Sequence, residues 1–119
     1  MTLLDPGEAP KRMIRFGPKF DPTGLKPEIT IVIPIIGMLS EQFHKEVILS
    51  SGTDREHSSK SLHYVGLAID FYWDHFNGYD EDGAEHQLGR LLASALGPRY
   101  DVVIHGTHIH IEYQPKVAN

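Results

Sequence analysis

Apolar residues recur along this chain with two different periods, and each change of period marks a new element. Ile29, Ile33, Ile36, Leu39 and Phe43 stand at helical spacing. Pro27 and Glu28 ahead of them suit a first helical turn, where proline has no needed N–H to lose and an acid meets the positive helix end. The run is also rich in β-branched residues, which favour a strand, and holds Pro34, which argues against a helix. Its length and the amphipathic continuation from Ser40 to Lys45 decide for a helix. Glu46 to Ser50 is a short strand stopping at Gly52, and Thr53 to Leu62 is a polar loop. Leu67 to Trp73 reads as a strand and Asp74 to Gly83 as a second polar loop. Ala84 to Leu96 carries Leu88, Leu91, Leu92 and Leu96 on one face and ends at Gly97-Pro98, a helix stop. Tyr100 to Ile104 and His108 to Tyr113 are strands about Gly106-Thr107, a hairpin signal. Residues 1–26 are rich in proline and glycine and have no period, so they read as an irregular arm with at most short extended pieces. The predicted class is α+β: a small antiparallel sheet with helices packed on it, built from residues 27–119.

Composition narrows the partners. The chain has 119 residues, enough for one core, with 40% hydrophobic and 23% charged positions. A net charge of −5 argues against nucleic acid, which wants a basic surface. With no cysteine there is no disulfide and no thiolate zinc site, so imidazole and carboxylate must hold any transition metal. The longest apolar run, Ile29 to Leu39, falls short of the ~18–20 residues of a membrane span and is broken by Thr30, Pro34 and Gly37. No membrane partner is expected. The N-terminus lacks a basic flank followed by an apolar stretch, so no signal peptide is expected. Synthesis in a cytoplasm follows, with another export route for any work outside it.

The eight histidines change the picture. In a two-residue turn, His105 and His108 form a cross-strand pair pointing to one side. Strand alternation then sets His108, His110 and Glu112 on one face and Ile109 and Ile111 on the other. On the earlier strand Gly66, Ala68 and Asp70 share a face, opposite Leu67, Ile69 and Phe71. His63 stands seven positions before Asp70. A lone strand histidine is usually an ordinary residue, but three on one face beside His63 and Asp70 resemble the parts of a metal site. Two histidines and one aspartate would hold zinc and leave a fourth position open for water. His44, His57, His75 and His86 lack such partners and read as solvated.

The string Ser-x-His-x-x-Gly-x-Ala-x-Asp at Ser61 to Asp70, with His-x-His at His108 to His110, resembles the zinc metallopeptidases of the D-alanyl-D-alanine carboxypeptidase and Hedgehog fold. That group includes peptidoglycan endopeptidases of many phage lysins. The resemblance spans roughly Pro27 to Tyr113 and implies a Hedgehog-like arrangement of the α+β domain. It implies Zn2+ held by His63, Asp70 and His110. His105 falls where one branch of the family keeps a catalytic histidine, and His108 is a second candidate. Another branch uses a glutamate three places before the last ligand, where this chain has Thr107. Glu112, just past the ligand, is suited to holding a ligand imidazole in orientation. The family's Ser-Gly-x-Arg is here Ser51-Gly52-Thr53-Asp54-Arg55, with the arginine one place late. Arg55 and Ser61 are the expected substrate-binding residues.

The resemblance thus implies hydrolysis of the peptide part of bacterial peptidoglycan, by a phage lysin or a virion-borne wall-degrading protein working at the cell wall. Virion proteins are then further partners. The rival expectation is a Hedgehog-like module that kept the fold and lost the chemistry, as a tail or virion component. A metal-free fold with surface histidines is the third.

Overall fold

Pro34 divides the long apolar run into two helices. It has no N–H for the carbonyl of Thr30 and its ring crowds that turn, so the first helix cannot run through it. The chain forms Pro27–Thr30 (α1) and restarts as Val32–Glu41 (α2), which places Pro34 in a first turn where an N–H has no partner to lose. The predicted extension to Lys45 does not form: His44 takes a left-handed φ of 55° and turns the chain toward the sheet.

The computed structural model describes residues 14–52 and 65–114. Before the two helices lies Ile14–Phe16 (β1), and after them come Val47–Ser51 (β2), Ala68–Tyr72 (β3), Ala84–Leu96 (α3), Tyr100–Ile104 (β4) and Ile109–Tyr113 (β5). The strands form one sheet in the order β1-β2-β3-β5-β4. Four of them pair antiparallel, as expected. β1 adds a parallel edge, so the sheet is mixed. That edge comes from the proline- and glycine-rich arm. Arg15 Nε reaches Glu46 Oε1 at 3.0 Å, and Gly17 N donates to Leu49 O at 2.8 Å.

The helices cover one face of the sheet. Ile69 and Phe71 of β3, Ile109 and Ile111 of β5, and Leu49 of β2 are fully buried against Ile29, Val32, Ile36, Leu88 and Leu92. Burial of this apolar surface is the main driving force of the fold. The other face holds Asp70, His110 and Glu112. Among the described residues no helix is long and apolar enough to cross a membrane.

A buried carboxylate fixes the loop after β3. Glu85 Oε2 accepts from the Trp73 indole at 3.0 Å and from Asn77 N at 3.2 Å. Next to it His86 Nε2 lies 2.8 Å from the Gly78 carbonyl. The far end of the sheet is tied by Tyr100, whose hydroxyl donates to the Glu28 carbonyl at 2.7 Å. Burial first, then the neighbouring Tyr113 and Glu28, raise the Tyr100 phenol above its ordinary value of 10.0.

Two outcomes follow for stability. Leu88→Ala empties a fully buried site and should lower the unfolding free energy by about 2–5 kcal/mol in a urea titration. Because the folded state holds the Tyr100 proton more tightly than the unfolded chain, its contribution is complete below about pH 10 and is lost as pH rises through the folded value. Tyr100→Phe should flatten that alkaline fall in thermal melts.

Candidate metal centre

The register of β3 on β5 puts Asp70 directly opposite His110 and Ala68 opposite Glu112. Residues forty apart in sequence thereby touch: Asp70 Oδ1 lies 2.8 Å from His110 Nδ1. The small Ala68 beside them leaves Glu112 free to reach His110 from the other side, with Oε1 2.8 Å from Nε2. Gln114 Nε2 donates to the second Glu112 oxygen. His108 stands one strand repeat from His110, its Nε2 4.0 Å from Asp70 Oδ2. Side-chain exposure falls from 31% at His108 to 14% at Asp70, so the carboxylate sits at the bottom of the cluster.

Both ring nitrogens of His110 face carboxylates. Burial opposes charging its imidazole, but hydrogen bonds to Asp70 and Glu112, reinforced by their charges, outweigh it and raise the group above 6.5. His110 is bracketed by two acids that favour its charged form. The donor types suit zinc. Asp70 and His110 would contribute to holding such an ion, with Glu112 on the other ring nitrogen, as carboxylates sit behind metal-bound imidazoles. Among the described residues no three His, Asp or Glu side chains form a ready cage. The expected third ligand, His63, lies outside the described residues, as do Ser61, Arg55 and His57.

The hairpin turn carries the remaining histidines. His105 N donates to the His108 carbonyl at 2.8 Å, which closes the two-residue turn. Their rings lie 4.7 Å apart at 30°, and the His105 ring stands 6.4 Å from that of His110. Thr107 Oγ1 lies 2.9 Å from His108 Nδ1 and fixes that ring. The turn is backed by the loop after β3. Gly78 N donates to the Gly106 carbonyl at 3.0 Å. A Cβ at Gly78 would fall 1.8 Å from the His105 carbonyl, and one at Gly106 would strike the Tyr79 ring. Only glycine allows that approach.

Structure thus brings Asp70, His105, His108, His110 and Glu112 together on the sheet face away from the helices. His44 and His75 are exposed, as expected of solvated residues. His86 is not: it is partly buried and bonds the loop that supports the turn. No short-range sequence signal marks that role, because its partner Gly78 belongs to a polar loop. A cleft of about 530 Å³ opens beside the cluster, with His108 and Thr107 at one end.

No protein-family model matches the chain, and a search of curated proteins finds no match.

In metal-free protein, the sign of the His110 shift predicts a stability contribution that is complete below about pH 6.5 and is lost as pH rises through the folded value. An NMR titration should show His110 titrating above the ordinary histidine value of 6.5, and Asp70→Asn should bring it down.

Proposed function

We propose that this chain is a zinc-dependent peptidase acting on the peptide part of bacterial peptidoglycan. The observation that carries the reading is the contact of Asp70 with His110, beside His108, on a face the helices leave open. These are residues that the resemblance to Hedgehog-fold peptidases singles out. In this reading His63, Asp70 and His110 hold the ion, and Glu112 keeps the His110 ring in place. Zinc, when bound, would supply Lewis acidity that lowers the pKa of water at the site to about 7.

The chain's own groups do the rest. His105, exposed at the turn, accepts the proton of the attacking water and returns it to the departing amine, with His108 as the alternative base. A protonated His108, or Arg55, offers positive charge to the developing oxyanion. The substrate sets the place of work at the bacterial cell wall, for a lysin or a virion-associated protein.

A second reading has its own support. Thr107 stands where one branch keeps its glutamate, and no ion pair orients His105 among the described residues. That arrangement suits a Hedgehog-like binding module without catalysis, such as a virion component.

Metal analysis together with mass spectrometry of muropeptides separates these readings. The peptidase should carry about one zinc per chain and release cleaved stem peptides. His63→Ala and Asp70→Asn should lower the rate by at least ~100-fold, the scale expected from losing a ligand or its support. Bound zinc without cleavage leaves the binding module. A chain that takes up no zinc, and whose melting temperature does not move when zinc is added, is the metal-free fold, since a structural zinc contributes on the order of 10 kcal/mol.

A further inference from the structure

The cleft beside His108 does not end at the loop after β3. It shares Trp73, Asp74 and His75 with a second cleft of about 310 Å³ that continues to Lys45 and Glu46. The two clefts adjoin along these three residues as a groove that meets the histidine cluster at His108.

Two side chains give that groove a direction. Tyr72 lies two residues beyond Asp70 on β3, hence on the same face, and the β3–β5 register places it level with His108. It is half-buried, and no hydrogen bond of its phenol is found among the described residues. Ile48 on β2 pairs with Tyr72. Lys45 stands just ahead of β2, three residues before Ile48 along the chain. Its ammonium lies 6.0 Å from the centre of the Trp73 ring. That ring holds a cation without neutralising it. Neighbouring Glu46 is engaged by Arg15, and Lys45 has no carboxylate partner among the described residues. The groove therefore has the Tyr72 phenol near His108 at one end and the Lys45 ammonium at the other, with Asp74 lining both clefts.

Resting on the peptidase reading, we infer that this groove binds the substrate chain on the carboxyl-terminal side of the bond to be cut. Tyr72 donates its O–H to a substrate carbonyl next to the reacting one. Asp74 accepts from substrate N–H groups, and Lys45 pairs with the terminal carboxylate. Tyr72 and Lys45 are positioning and specificity residues, and neither forms or breaks a bond.

The chain has a single tryptophan, and it lines both clefts, so its fluorescence reports occupancy, with isothermal titration as a check. The probes are an acetylated wall-stem pentapeptide ending in a free carboxylate and the same peptide as its C-terminal amide. Zinc-loaded protein should bind the acid about tenfold more tightly than the amide. Lys45→Gln should erase that difference and Lys45→Arg should restore it. Tyr72→Phe should weaken both peptides by a similar factor and raise KM with little change in kcat. Equal binding of acid and amide, or a preference that survives in Lys45→Gln, overturns the groove. Discrimination without hydrolysis keeps the groove and removes the peptidase reading. Hydrolysis without discrimination does the reverse, and neither binding nor hydrolysis removes both.

Discussion

The pairing of β3 with β5 in one register, Asp70 against His110, is the constraint on which both the core and the candidate site depend. Side chains alternate across a strand, so a slip of one residue would exchange the two faces. It would carry the apolar pair of the slipped strand, Ile69 and Phe71 or Ile109 and Ile111, out of the core and that strand's polar side chains into it. The apolar residues resist that slip through the area they bury. The site is thus held by forces acting on the opposite face. Asp70 and His110 need not attract one another strongly to meet, because the isoleucines and Phe71 bring them together.

A second layer of support comes from α3. Its leucines pack against the sheet, while its first turn turns polar groups toward the loop after β3. Glu85 takes the Trp73 indole and the Asn77 amide, and His86 takes the Gly78 carbonyl. A buried carboxylate is costly unless its hydrogen bonds are made, and here they are made with groups that shape the cleft. Gly78 then meets Gly106 in the hairpin turn. Helix, loop and turn form a continuous path to the histidine pair.

Local periodicity made much of this legible. The leucine spacing and Gly97-Pro98 placed α3 with its observed bounds, Ala84–Leu96, because packing and chain termination agree there. The hairpin and its division of Ile109 and Ile111 from His108, His110 and Glu112 followed from alternation. What lay outside local reach depends on distant partners. β1 has only three residues and no pattern of its own, and it exists because Leu49 and Glu46 receive it. The break at Ile31 reflects the reach of Pro34 back to a carbonyl four residues away. Glu85 looks like an ordinary first-turn acid, and nothing near it in sequence announces an indole twelve positions earlier. At the site, the sequence placed three histidines and an acid on one face. The contact across forty residues that joins them to Asp70 belongs to strand pairing, which no short window contains.

The glycine contact beneath the hairpin turn has a consequence for how such a site can change. The Gly78–Gly106 hydrogen bond joins main-chain atoms, so it seats the turn without calling on the side chains at positions 105 and 107. What anchors the turn and what it displays are therefore different atoms: the backbone is the socket, and the imidazole and hydroxyl are what it holds out to solvent.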